Sequence, residues 1–233
     1  MFFVGAATGF KASVLSTILL TATIVLGIFT TLAITKLLSA TVLKGVPSSF
    51  TLEMPPFRPP QVRKIIVRSI LDRTLFVLGR AAAIAAPAGI LIWILANTSL
   101  GGTTILNHLS SFLNPFAKMI GLDGTILLAF ILGFPANEIV IPIIIMIYMS
   151  SGTLSDAASL SIIKELFIAN GWTPITAICT MTFSLMHWPC STTLMTIKKE
   201  TGSIKWSVLA ALIPTACGIA LCFIINTIAR ILI

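Results

Sequence analysis

Long apolar runs, separated by short charged or proline-rich stretches, divide this chain. The first run covers residues 14–35 and is closed by Lys36 and Lys44. At about 22 residues it is long enough, as a helix, to cross the ~30 Å hydrocarbon core of a bilayer. A second run covers 75–96, a third 125–149, a fourth 173–197 and a fifth 206–228. Two of them are interrupted. Gly133-Phe134-Pro135-Ala136-Asn137-Glu138 breaks the third, with Pro142 as a second interruption, and His187-Trp188-Pro189-Cys190 breaks the fourth. Proline removes a backbone donor and pushes the preceding residue out of the helical region, so each break predicts non-helical backbone inside an apolar segment. The pattern predicts an all-α, polytopic helical membrane protein with about five hydrophobic segments, two of them broken.

The connecting stretches are distinctive too. Residues 46–60 carry Pro47, Pro55, Pro56, Pro59 and Pro60 and predict an extended linker. Residues 61–73 alternate basic side chains with Val62, Ile65, Ile66, Val67, Ile70 and Leu71, the spacing of an amphipathic helix on a membrane surface. The second run is rich in Gly and Ala between Gly79 and Gly89, which allows close backbone approach, and Pro87 predicts a kink there. A loop with Gly101 and Gly102 precedes a short amphipathic piece over 108–119, and residues 150–170 predict a loop followed by a short helix. His108 is expected in a polar, solvated loop. The chain divides into a first transmembrane segment (1–45), a linker with a basic amphipathic helix (46–74) and a C-terminal transmembrane domain (75–233).

Charge then constrains the topology. Lys36, Lys44, Arg58, Arg63, Lys64, Arg68 and Arg73 gather between the first two runs, with Arg80 at the start of the second, as the positive-inside bias demands of a cytoplasmic connection. If both broken runs cross fully, Lys198, Lys199 and Lys205 fall on the opposite face. A re-entrant path for 125–149 returns them to the basic side, and that is the path expected here. Irregular backbone at this depth requires burial in protein or a wet cavity.

Composition agrees: 57% of the 233 residues are hydrophobic, 9% are charged, and mean hydropathy is +1.06. A soluble domain carries about 25% charged residues. The net charge of +8 is accounted for by the clustered membrane-flanking residues, so no nucleic-acid partner is expected. Residues 1–10 lack a basic n-region, so no signal peptide is expected. Cys179, Cys190, Cys217 and Cys222 show no CxxC spacing and predict neither a disulfide framework nor a zinc site. GxGxxG, GxSxG, HExxH and GxxxxGK[ST] do not occur, so no enzymatic activity and no phosphate-binding loop is expected of this chain.

The breaks hold the candidate chemistry. Glu138 is the one acidic side chain within an apolar run, and a carboxylate at membrane depth points to function by default. Its oxygens suit a divalent cation, while the imidazole of His187 and the thiol of Cys190 suit first-row transition metals. Cys190 follows Pro189, where a helix reopens with free N–H groups. Bland readings stand beside these: Glu138 as a cap of the half-helix that follows it, His187-Trp188 as an interfacial pair, and Cys190 as a small packing residue. Cys179, Cys217 and Cys222 read as packing residues.

Several stretches resemble the ferrous iron transport protein B family (FeoB). They are residues 52–60 and 69–80, the segment Gly133-Phe134-Pro135-Ala136-Asn137-Glu138, and Trp188-Pro189-Cys190-Ser191-Thr192-Thr193-Leu194 followed by Lys198-Lys199-Glu200-Thr201-Gly202. Their joint order covers most of the chain from about residue 43 onward. The resemblance implies a Gate-type membrane region that moves Fe²⁺ across the cytoplasmic membrane. It marks Glu138 and Cys190 as residues of the iron path, with Asn137 and His187 as neighbours. It also implies an N-terminal GTP-binding domain and a first Gate half as partners, since neither has its motif in this sequence. Fe²⁺ would be the transported ion, with no cofactor permanently bound; membrane lipid is a partner and a homo-oligomer is compatible. A Gate-type protein for an organic solute such as a nucleoside, or a non-transporting assembly subunit, are the alternatives.

Overall fold

The computed structural model describes residues 10–41, 74–150 and 160–232. The proline-rich linker and the basic amphipathic helix expected over 46–73 lie outside the described residues. Nine α-helices are described: α1 Phe10–Thr41, α2 Phe76–Asn97, α3 Ile105–Met119, α4 Gly124–Leu132, α5 Val140–Met149, α6 Leu160–Ala169, α7 Pro174–Met186, α8 Ser191–Thr201 and α9 Ile204–Leu232. Three of them, α1, α2 and α9, are long and apolar enough to cross a membrane unaided. Each stays helical because its backbone groups find partners internally, which lipid requires.

Both expected breaks are present, and they behave differently. α4 and α5 fold back on each other. Asp123 opens α4 and Tyr148 nearly ends α5, yet the Tyr148 hydroxyl donates to Asp123 Oδ2 at 3.1 Å across 25 residues of sequence. The helical hairpin that a re-entrant path requires is present in this region. Helices of 9 and 10 residues give legs of roughly 14–15 Å, about half the hydrocarbon thickness. Gly133 makes the reversal possible. A Cβ there would lie 2.6 Å from Val140 Cγ2 and 2.9 Å from the Ala129 carbonyl oxygen, and no side chain fits that gap. One face of each leg is buried, with Ile126, Ala129, Ile143 and Ile144 at 0% exposure, while Ile131 and Ile141 are exposed. Pro142 does not interrupt the segment. It sits in the first turn of α5, where an unbonded N–H position costs nothing.

α7 and α8 instead form one broken rod over Pro174–Thr201. α9 packs antiparallel along both halves: Cys222 Sγ donates to the Cys179 carbonyl at 3.3 Å, and Ser207 Oγ donates to the Leu194 carbonyl at 3.1 Å. α1 packs on α7, with Gly27 against Met186. With the hairpin returning to its own side, Lys36, Lys198, Lys199 and Lys205 share one face, while Lys118 and Arg230 lie together on the other, where Arg230 donates to the Lys118 carbonyl. The positive-inside bias is thereby satisfied.

The same sequence of parts occurs twice. α3 turns into α4 through 108° and α6 turns into α7 through 106°. Each bend carries a glycine in the left-handed region, Gly121 (φ 73°) and Gly171 (φ 81°). Each following helix ends at an aromatic–proline pair, Phe134-Pro135 or Trp188-Pro189. α3 packs tightly on α4, since its amphipathic sequence offers one apolar face. Between α2 and α3, residues read as loop form a two-residue ladder, Ser99 with Thr104 and Leu100 with Thr103, closed by Gly101-Gly102. His108 lies on α3, not in a loop, and its Nε2 is 2.7 Å from Thr103 Oγ1 and 3.0 Å from the Leu100 carbonyl.

A hydrogen-bond relay clasps the base of the hairpin: Trp172 Nε1 donates to Tyr148 Oη at 2.9 Å, and Tyr148 donates onward to Asp123. Tyr148→Phe removes both hydrogen bonds of the relay. It is expected to cost about 1–3 kcal/mol, seen as a lowered thermal unfolding midpoint in detergent. Adding Asp123→Asn to Tyr148→Phe should then cost less than Asp123→Asn alone.

Candidate functional site

The hairpin tip docks into the gap of the broken rod. The Ser191 N–H donates to the Phe134 carbonyl at 3.1 Å, and Ser191 Oγ donates to the Pro135 carbonyl at 3.5 Å. Ser191 is the first residue of α8, so its N–H has no partner within the helix, and the tip carbonyl satisfies it. Two stretches of non-helical backbone thus meet, the arrangement in which free helix ends bind ions and substrates in membrane transporters.

All four residues singled out in the sequence belong to this junction. Asn137 and Glu138 start a single 3-10 turn, Asn137–Ile139, just past the tip. Both side chains are exposed on the surface of this chain. Glu138 is therefore not enclosed by the residues described. His187 ends α7 and is buried at 7% exposure. Its Nδ1 lies 2.8 Å from the Ser184 carbonyl and 3.2 Å from the Phe183 carbonyl, which makes Nδ1 the protonated nitrogen and leaves Nε2 a bare acceptor. Phe130, Phe183 and Trp188 surround the ring. Cys190 occupies the N-cap position of α8. Its Sγ lies 3.1 Å from both Thr192 Oγ1 and Thr193 Oγ1, hydroxyls able to donate to sulfur.

A cavity of about 470 Å³ opens beside the junction, lined by Asn137 and His187 together with Thr31 and Thr35 of α1 and Thr193 of α8. Cys190 and Glu138 do not line it. Among the described residues, no three His, Cys, Asp or Glu side chains converge as a metal site. The junction offers single polar side chains rather than a cluster of ligands. Cys179 and Cys222 pack face to face between α7 and α9, fully buried, and all four cysteines are free.

Sequence reading missed Ser191 and the α1 threonines. Ser191 directly follows Cys190, and its role appears only when the hairpin tip arrives beside it. The threonines of α1 recur among apolar residues and carry no motif.

Two family models match the chain. The Gate model, described as nucleoside recognition, covers residues 78–204, more than half of the sequence. The chain belongs to the Gate family. Residues 20–72 of this Gate protein match the model for the ferrous iron transport protein B C terminus. Similar proteins include the Fe(2+) transporter FeoB of Staphylococcus aureus (strain MSSA476), 29% identical over 219 residues, covering 90% of the chain and 31% of that relative. The Fe(2+) transporter FeoB of Methanocaldococcus jannaschii is 26% identical over 221 residues, covering 89% and 31%, and that of Leptospira biflexa is 23% identical over 225 residues, covering 89% and 32%. The Gate protein corresponds to the C-terminal membrane region of these transporters and spans about a third of their length. No solved structure matches it.

Proposed function

We propose that this chain is the C-terminal membrane part of a Fe²⁺ permease of the cytoplasmic membrane, working with an N-terminal half that supplies the GTP-binding domain and the first Gate motif. The observation that carries this reading is the meeting of hairpin tip and broken rod, with a carboxylate, an amide, an imidazole and a thiol spread around it. Fe²⁺ is substrate here, not a resident metal. Glu138, Cys190, His187 and Asn137 would replace part of its water shell in turn, with carbonyls at the breaks and the other half of the transporter supplying the remainder. The lysine-bearing face is cytoplasmic by the positive-inside bias.

The direct test is Fe²⁺ uptake in cells without a ferrous transporter, expressing the chain with and without a matching N-terminal half. Uptake that requires both halves is expected; no uptake from any membrane-inserted pairing would overturn the reading. In the working pair, Cys190→Ser exchanges a sulfur ligand for a harder hydroxyl. We expect it to lower uptake by about tenfold, and Cys217→Ser to leave uptake unchanged. A second reading is favoured by one observation: a cavity of about 470 Å³ is far larger than an ion and suits an organic solute such as a nucleoside. Uptake of labelled nucleoside by the same cells separates the two.

A further inference from the structure

Three cavities lie in a row between α1 and α7. The cavity beside the junction includes Thr31 and Thr35 of α1. A second, of about 350 Å³, is lined by Gly27 and Thr31 on α1 and by Leu185 and Met186 on α7. A third, of about 330 Å³, takes in Thr23 and Ile24 of α1 and Thr180 of α7. Asn137 lines both the first and the third, so the hairpin-tip residue sits where these two spaces approach each other. The row runs from the Thr180 level of α7 toward Thr193 and Ile197, that is, toward the lysine-bearing face.

Unpartnered polar atoms indicate water in this row. The groove carries Asn137, Ser184 and Thr193 beside Thr23, Thr31 and Thr35 of α1, whose hydroxyls donate to carbonyls of their own helix. Ile18 and Phe29 of α1 lie outside it and are 57% and 68% exposed. Next to the first cavity, His187 Nε2 and Trp188 Nε1 are buried without a hydrogen-bond partner, as is Thr182 Oγ1 one turn earlier. Both His187 and Trp188 line that cavity. Buried polar atoms without protein partners are ordinarily met by ordered water, and one acceptor beside one donor is the pairing a bridging water needs.

We propose that the row between α1 and α7 is a hydrated conduit joining the junction to the lysine-bearing face, with Asn137 as its narrow point and the α1 threonines as its wall. α1 is then a functional wall of the path rather than a lipid anchor. The proposal rests on the reading of the chain as a permease, but its test does not require iron.

Single cysteines at Thr23, Thr31, Thr35, Ile18 and Phe29 would be placed in the chain paired with its N-terminal half, in inside-out membrane vesicles. They would be exposed to a charged, membrane-impermeant methanethiosulfonate, with modification read by mass spectrometry of the α1 peptide. Only a thiolate reacts, and a thiol facing lipid stays protonated. Thr31→Cys and Thr35→Cys are therefore expected to react about tenfold or more faster than Ile18→Cys and Phe29→Cys. Adding Asn137→Phe should slow Thr23→Cys and leave Thr35→Cys unchanged. Equal reaction at all five positions, or none at Thr31 and Thr35, would overturn the conduit. Slowing of Thr35→Cys by Asn137→Phe would overturn the placement of the narrow point. The expected pattern in membranes that take up no Fe²⁺ would support the conduit while removing the iron reading.

Discussion

Gly124→Ala is expected to prevent the hairpin from forming. Gly124 is the first residue of α4, pressed against α3. An added Cβ would lie 2.0 Å from the Ser110 carbonyl oxygen, 2.9 Å from Asn114 N and 3.0 Å from Asn114 Cα. All three are backbone atoms of a helix, so nothing can rotate aside. Either α3 and α4 separate or the 108° bend opens. The Gly124 N–H also donates to Asn114 Oδ1 at 3.4 Å, and that contact goes with it. Overpacking of a well-packed core costs about 1–3 kcal/mol when side chains can yield. Here the clash is with backbone, and a loss of roughly 3 kcal/mol or more is expected, a large part of a total stability of about 5–15 kcal/mol. Gly89→Ala is the control: a Cβ there meets nothing within 4 Å, and helix propensity favours the change slightly. Size-exclusion profiles in detergent after graded heating decide the matter. A Gly124→Ala profile like that of Gly89→Ala would show that α3 does not hold the hairpin as described.

Glu138→Gln is expected to have the largest effect on transport with little effect on folding. The side chain is exposed on this chain, and its replacement keeps size and shape while removing the charge. At an effective dielectric near 20, a divalent ion about 4 Å from one carboxylate gains on the order of 8 kcal/mol of Coulomb attraction before its dehydration is counted. Most of that is offset by lost water, but a remainder of about 1.4 kcal/mol already changes occupancy tenfold. We therefore expect Fe²⁺ uptake by the paired transporter to fall by about tenfold or more, with Glu138→Asp retaining part of it. Uptake within a factor of about two of the parent, at equal membrane abundance, would leave Glu138 as a helix-capping residue.

Much of this protein was legible in its sequence. Lipid demands that backbone groups be satisfied within each segment, so the apolar runs had to be helices, and their lengths marked α1, α2 and α9 as spans. Proline cannot continue a helix, so Phe134-Pro135 and Trp188-Pro189 fixed where two segments break. Charge went further: a re-entrant path for one of the two broken runs puts Lys198, Lys199 and Lys205 on the basic side, and the third run was the one expected to take it. The candidate residues Asn137, Glu138, His187 and Cys190 followed from being polar at those breaks.

The tertiary structure decided what the breaks do. Two similar aromatic–proline pairs give opposite outcomes, because Gly133 lets Val140 close over it and the chain reverse, whereas His187 leaves α7 in an extended conformation (ψ 177°) and the rod continues. Nothing local in the sequence announces that the tip of one break lodges in the gap of the other. That contact joins residues 134 and 191 through a single helix-end N–H, and only the packing of α3 and α7 against the hairpin brings them together. The same packing turns a scatter of threonines on α1 into one wall of a groove, since which face of a uniformly apolar helix meets its neighbours is set by the neighbours, not by the helix.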